Sequence, residues 1–467
     1  MSINSIFGQY LEEAIGAQKA EVAFSAFSCP ASTSVRLNPS KPVASLPADA
    51  AIVPWSKYGR LLSERPSFTL DPLFHAGAYY VQDSSSMFVG HVFRDILAKV
   101  INNSKAIVDK PIKVLDLCAA PGGKTTDIAA SLREVCGDNF VLVANEVMKQ
   151  RVQVLADNVA IWGDPNVVVT SNDPADFKAM EGWFDIIVAD VPCSGEGMFR
   201  KDEEACRQWS EDNVKLCASR QKRIIADVWP ALADGGVMVY STCTFNRLEN
   251  DLNVEWIASE LGAGLIYKEG ENDFGEAGVI KTDVGYSLVP GFVPGEGQYC
   301  SAVVKEGTCG RHDGVFAGKV RGGRPGKVAV QGIPDIKFTV PMTYEVKGET
   351  LKAVPEKIAE LVKFVAGSLH VVQSGVALGV MKGRNLVPSA DLALTIVLGD
   401  EAFPKAELSK EDALRFLHKD AVMTPGMPLG LVLVTYCGIP LGFVKNLGNR
   451  TNNLHPQSRR IRMDINR

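Results

Sequence analysis

The chain has 467 residues, 46% of them hydrophobic and 22% charged, with a formal net charge of -5. That length suits about three globular units, and the composition excludes a disordered chain. The acidic balance excludes wholesale coating of nucleic acid, so any such contact must come from local basic patches.

In chain order, the opening "MSINSIFGQYLEEAIGAQKAEVAF" reads as an amphipathic helix rather than a secretion signal, because its first basic residue is Lys19. No run of about 18 apolar residues is present to span a membrane. Residues 1–105 read as mostly helical, interrupted by an extended "SVRLNPSKP" at 34–42. "GAYYVQDSSSMFVGHVFRDIL" then turns into a helix with Met87, Phe88 and Val92 on one face.

From residue 112 β-branched runs alternate with helical stretches. The runs are "IKVLDLC" (112–118), "NFVLVANE" (139–146), "NVVVTSND" (166–173), "WFDIIVADVPC" (183–193) and "GGVMVYSTCTF" (235–245). Buried strands alternating with helices predict a parallel sheet covered on both faces. "GYSLVPGF" and "GQYCSAVVK" add a closing, antiparallel pair. The fold class is therefore α/β: a Rossmann-like, mostly parallel sheet of seven strands, preceded by a mostly helical domain. "GTCGRHDGVFAGKVRGGRPGKV" (307–328) reads as a linker. The last part, with "GLVLVTYCGIPLGFVKNLG", reads as small and β-rich. The divisions fall at 1–105, 106–305, 306–370 and 371–467.

Ligands of open parallel sheets sit beyond the carboxyl ends of the strands. The first strand ends in Cys118-Ala119-Ala120-Pro121-Gly122-Gly123-Lys124, the second in Glu146, the third in Asp173 and the fourth in Asp190. A phosphate loop requires Gly-x-x-x-x-Gly-Lys-Ser/Thr, and its first glycine would fall on Cys118. Three carboxylates would repel a triphosphate unless metals neutralised them, and no metal site is expected from ten cysteines without a Cys-x-x-Cys pair. The same carboxylates suit a cationic nucleoside such as S-adenosylmethionine. Glu146, 22 residues past Lys124, is placed for the ribose hydroxyls, and Asp173 for the adenine side. The glycine turn and helix start can take the methionine carboxylate. Against this, any single strand-end carboxylate is more often a helix cap.

Cys193 and Cys243 end neighbouring strands and should open onto one crevice, although a free cysteine is commonly just a core residue. A thiol beside a methyl donor suits methylation at pyrimidine carbon 5, where addition of sulfur to carbon 6 makes carbon 5 nucleophilic. Asp190 is placed to hold the base's amino edge.

"LDLCAAPGGKT", "DVPCSGEGMFRKD" and "STCTFNRLEN" closely resemble the signature motifs of Sun-type RNA (cytosine-5) methyltransferases, and "SVRLNPSK" and "GAYYVQDSSSM" resemble that family's N-terminal motifs. The match spans roughly residues 30–305 with five motifs in order. The ending "LHPQSRRIRM" looks like the bacterial branch acting on small-subunit ribosomal RNA, which implies a C-terminal RNA-binding domain of the PUA type. The resemblance implies that Cys243 is the nucleophile and that Cys193 assists breakdown of the adduct. It also implies that Cys118 to Lys124, Glu146, Asp173 and Asp190 line the S-adenosylmethionine pocket. Arg459, Arg460 and Arg462 are the expected RNA contacts, on a tail that alternates as an edge strand would. The expected protein is a cytoplasmic monomer acting on ribosomal RNA or the assembling small subunit. The rivals are an assembly factor with an inactive methyltransferase domain and a P-loop NTPase.

Overall fold

The computed structural model describes residues 5–43, 50–103, 110–267, 275–307, 335–382 and 385–465. The expected linker at 307–328 lies outside them apart from Gly307. Helices α1 (Ser5–Ile15) and α2 (Ala17–Phe27) open the chain, and α1 buries Phe7, Leu11 and Ile15, four residues apart and so on one face. Phe7 meets Phe199 and Trp209 edge to face, with centroids 5.1 and 5.7 Å apart, so this helix braces the segment that follows Cys193.

Strands β1 (Thr33–Leu37), β2 (Ala51–Ile52), β3 (Gly59–Leu62) and β4 (Tyr79–Val81) form a small sheet in the order β2-β3-β1-β4. The expected extended segment supplies its inner strand. The other strands are too short to show a period of two. A short helix, α3 (Pro72–His75), precedes β4, and α4 (Met87–Asn103) follows with Met87, Phe88 and Val92 buried as expected. Because strand side chains alternate, Val35 joins the core shared with the C-terminal part while Arg36 faces the central domain.

The central domain runs through β5 (Ile112–Asp116), α5 (Gly123–Cys136), β6 (Phe140–Asn145), α6 (Lys149–Trp162), β7 (Val167–Thr170) and β8 (Phe184–Asp190). It continues with α7 (Glu203–Gln208), α8 (Glu211–Val228), β9 (Leu232–Thr242), α9 (Asp251–Glu260), β10 (Ala263–Leu265), β11 (Ile280–Lys281), β12 (Tyr286–Leu288) and β13 (Gln298–Lys305). Strands β7-β6-β5-β8-β9 are parallel neighbours, and β13 and β12 extend them antiparallel, which makes the expected seven. Val114, Leu142 and Val188 face one core with α4, α5 and α6; Leu115, Val143 and Ile187 face the other with α8 and α9. Each such side chain contributes about 1.5–3 kcal/mol on burial, so the sheet is a firm floor for whatever its strand ends carry.

The remainder comprises β14 (Met342–Lys347), β15 (Thr350–Pro355), α10 (Ala359–Ser368), β16 (Val371–Ser374), β17 (Val376–Lys382), β18 (Asn385–Pro388) and α11 (Ala390–Leu394). After these come β19 (Lys405–Glu407), α12 (Lys410–Leu417), β20 (Gly430–Tyr436), β21 (Ile439–Asn446) and β22 (Thr451–Asn453). Strand β16 pairs with β7, and α10 stacks Phe364 on Trp183, so with β10, β11 and β16 the central sheet has ten strands. Two four-stranded sheets, β14-β15-β17-β18 and β19-β20-β21-β22, complete the chain.

The tail is not an edge strand. Residues 457–459 form a 3-10 turn, and the described residues after it, 460–465, join no sheet. Pro456 supplies no N–H to a ladder, Ile461 is buried in the core beneath α12, and Arg459 is held by ion pairs.

Candidate active site

Strand β5 lies between β6 and β8, all parallel, where the order of successive strands switches from one side of β5 to the other, and its following loop opens the crevice. Gly122, at φ 111°, takes the left-handed turn that starts α5, a conformation favouring glycine. At Gly123 a Cβ would come within 3.3 Å of the Tyr80 ring. The loop is anchored by Ala119 N donating to Asn145 O (2.8 Å), Arg151 Nη2 to Ala120 O (2.7 Å) and Asn158 Nδ2 to Pro121 O (2.8 Å). Cys118 is half-buried here, and burial pushes its thiol up. Lys124 points across the crevice and donates from Nζ to Asp190 Oδ2 at 2.8 Å.

Glu146 begins beyond β6. Its Oε1 accepts from Met148 N (2.9 Å), and Arg151 lies 3.5 Å from Oε2. Asp173 caps the turn at Pro174–Met180, accepting from Ala175 N at 3.1 Å while Asp176 bonds back to its N–H. Its own bonds are thus those of a helix cap, at the end of β7. The reading from sequence missed Asp116, the last residue of β5, although a carboxylate ending the apolar run "VLD" was the available signal. Its Oδ2 accepts from Thr125 at 2.6 Å, whereas Oδ1 is buried without a partner. Burial pushes it up to about 7, against the lowering bond from Thr125. Glycine backbone, a buried unpartnered carboxylate oxygen and Glu146 and Asp190 close by fit a cationic, amine-bearing nucleoside ligand.

Arg36, also missed, locks this loop from outside. It is fully buried, donating to Gln82 Oε1 (2.8 Å), Gly123 O (3.1 Å) and Thr126 Oγ1 (2.5 Å), over the Trp162 ring. Its place in "SVRLNP" gave no hint, because a lone arginine in a strand is usually exposed.

Cys193 and Cys243 do meet. Their sulfurs lie 3.1 Å apart, and Cys243 N donates to Cys193 Sγ at 3.3 Å. The bond with Cys243, then burial, pushes the Cys193 thiol well up. Asp190 stands beside them with Oδ1 accepting from Ser241 Oγ (2.8 Å) and Gln298 Nε2 (3.2 Å). With three donors placed, its carboxylate keeps one of about four acceptor positions. Of the three tail arginines, Arg459 is held by Asp157 (3.1 Å) and Asp391 (2.8 Å), and Arg460 reaches His418 (3.5 Å); Arg462 is exposed.

Comparison with known proteins now bears on this crevice. Residues 107–279 match the family model described as 16S rRNA methyltransferase RsmB/F, residues 3–84 the N-terminal domain of 16S rRNA methyltransferase RsmF, and residues 403–461 the methyltransferase RsmF PUA domain. The ribosomal RNA small subunit methyltransferase F of Serratia proteamaculans is 31% identical over 397 residues, 82% of this chain and 78% of that protein. The chain belongs to the RsmB/F family. The homologous enzyme of Aliivibrio salmonicida is 29% identical, covering 87% of this chain and 84% of its own. A methyltransferase homolog protein from Pyrococcus horikoshii shares the fold at 24% identity and TM-score 0.51, over 65% of this chain and 96% of its own. The RsmB/F member described here is an S-adenosylmethionine-dependent RNA methyltransferase, as its motifs predict, and not a P-loop NTPase. Among the described residues no helix is long and apolar enough to cross a membrane.

Proposed function

We propose that this crevice methylates carbon 5 of a cytosine in small-subunit ribosomal RNA, with Cys243 as nucleophile and Cys193 as its releasing partner. The carrying observation is the pair of sulfurs 3.1 Å apart beside Asp190. S-adenosylmethionine, held by the Cys118–Lys124 loop, Asp116, Glu146 and Asp173, supplies an electrophilic methyl group. Cys243, deprotonated, adds to carbon 6 and makes carbon 5 nucleophilic. Asp190 uses its remaining acceptor position for the base's amino group, held in place by Lys124, Ser241 and Gln298. Loss of the carbon-5 proton to solvent restores the ring double bond and breaks the carbon 6–sulfur bond, while Cys193, kept a thiol and 3.1 Å away, gives its proton to the departing Cys243 sulfur and regains one from solvent. Because the target atom is inaccessible in a stacked helix, the cytosine must be unpaired or flipped out.

We read residues 1–105 as the RNA entry region, 106–305 as the transfer domain, and 306–370 and 371–467 as a connector and an RNA-gripping domain, although the sheet β14-β15-β17-β18 crosses that last division and β16 joins the central sheet. The relatives' names support ribosomal RNA of the small subunit as substrate; action in the cytoplasm and as a monomer belongs to this proposal alone. An inactive assembly factor is disfavoured, since both thiols and the surrounding carboxylates are in place. The test is bisulfite mapping of 5-methylcytosine in small-subunit ribosomal RNA from cells with and without the gene. It is paired with tritiated methyl transfer to naked RNA and to assembled subunits. An unchanged map together with no transfer would end this reading.

A further inference from the structure

The loops carrying the two cysteines are joined by carboxylates that fall within "DVPCSGEGMFRKD" and "STCTFNRLEN" and have no part in the reaction scheme. Glu196, three residues beyond Cys193, accepts at Oε2 from the backbone of Phe245 (2.7 Å) and Asn246 (3.1 Å) in the Cys243 loop. Glu249, six residues beyond Cys243, accepts at Oε2 from the backbone of Ser194 in the Cys193 loop (3.0 Å). Each loop therefore lends a carboxylate to the other's backbone. The Asn246 amide sits between them and donates to Glu196 (2.9 Å) and Glu249 (2.8 Å). Behind the pair, Trp209 donates to Glu196 (3.0 Å), and Gln221 donates to both Glu249 (2.7 Å) and Pro192 O (3.0 Å). Both glutamates are almost fully buried, at 1% and 0% exposure.

We propose that Glu196 and Glu249 are reciprocal positioning residues that fix the separation of the two cysteine loops and thereby the rate at which the covalent adduct is released. Burying two carboxylates is costly unless their bonds are well made, and apolar packing would close two loops without that cost. What directional bonds add is a fixed spacing, and catalytic geometry is sensitive to it. The two cysteines do not depend on the clamp equally. Cys243 directly follows β9, which is paired on both sides by β8 and β13. Cys193 lies three residues past β8, in a loop held at Ser194 by Glu249 and Thr244 (2.9 Å), at Pro192 by Gln221, and at its ends by backbone bonds from Val191 N to Ser241 O (3.0 Å) and Gly197 N to Cys243 O (2.9 Å). Loosening the clamp should therefore displace Cys193 and spare Cys243, so that attack continues and release slows.

This rests on the assignment of attack to Cys243 and release to Cys193. The test uses the full chain with substrate RNA and S-adenosylmethionine in single turnover, following adduct on denaturing gels and methylated product together. Glu249→Ala and Glu196→Ala should form adduct close to the unaltered rate and release it about a hundredfold more slowly, the effect of a displacement of about 1 Å. Glu249→Gln, which keeps an acceptor for the Ser194 N–H, should recover part of the release rate. Should the alanine variants melt below the assay temperature, Glu249→Gln and Glu196→Gln decide by the same ratio of formation to release. Equal slowing of both steps, or no change in either, in variants with unaltered melting and cofactor affinity overturns the proposal. Cys193→Ala run beside them separates the two ideas. If it accumulates adduct while the glutamate variants release normally, only the clamp fails; if it accumulates none, the two-thiol assignment fails first.

Discussion

Lys124 Nζ and Asp190 Oδ2 lie 2.8 Å apart across the crevice, and this ion pair separates the glycine loop from a phosphate loop that it resembles in sequence. Burial lowers the lysine's pKa, but the Asp190 carboxylate more than offsets this and raises it, so the ammonium stays charged and occupied. A phosphate-loop lysine must instead be free to reach β- and γ-phosphates.

The cofactor pocket makes the first prediction. Glu146→Ala removes a buried charged acceptor beside the loop, a loss of about 1.5–3 kcal/mol. S-adenosylmethionine should bind roughly ten- to a hundredfold more weakly, with RNA affinity little changed. Titration calorimetry showing unaltered cofactor affinity would remove Glu146 from the pocket.

The thiols make the second. Cys243→Ala should abolish transfer and form no adduct, whereas Cys193→Ala should trap protein on RNA. Both proteins should bind S-adenosylmethionine as before, because neither sulfur lies in the Cys118–Lys124 loop. An adduct seen only with Cys243→Ala on a denaturing gel would reverse the two roles.

Asp116 makes a prediction about pH. Its carboxyl is pushed from an ordinary 3.8 up to about 7 by burial. Between those values the folded chain holds a proton that the unfolded chain has released, so stability falls as pH rises through that window. The slope from this one group is about 1.4 kcal/mol per pH unit. Asp116→Asn keeps the acceptor for Thr125 and removes the titration. Urea midpoints without cofactor should therefore show the variant gaining on the parent between pH 5 and pH 7. Parallel midpoints across that range would show that Asp116 is ionised throughout.

The strand ends of the central domain were legible because each is announced by a β-branched run, and the chemistry lies within a few residues of where each run stops. Asp190, Cys193 and Cys243 could be read in this way. Arg36 could not, since its partners Gly123 and Thr126 come from another domain, and nothing local distinguishes a locking arginine from a surface one. Strand β16 was hidden for a similar reason: it pairs with β7 across about two hundred residues, and four residues carry no period of their own. At the tail, the alternation of Ile461 and Met463 with arginines suggested a strand. Ile461 is buried and Met463 is 47% exposed, so both satisfy their surroundings without a ladder.

That tail changes how the grip on RNA is tested. Arg459 is paired with Asp157 of α6 and Asp391 of α11, so it ties the C-terminal part to the transfer domain. Its loss should lower stability by about 1 kcal/mol, a value kept small by the partly exposed partners. Arg462 is exposed, so of the trio it is the one whose loss tests for a phosphate contact. Neutralising one phosphate contact on single-stranded RNA changes the slope of log affinity against log salt by about 0.7. Arg462→Ala should flatten the slope by that amount and leave melting and cofactor affinity alone, whereas Arg459→Ala should lower the melting temperature and leave the slope. Filter binding of substrate RNA over a salt series, with thermal denaturation of the same proteins, distinguishes the two. A slope unchanged by Arg462→Ala would place the grip elsewhere, with the N-terminal region next in line.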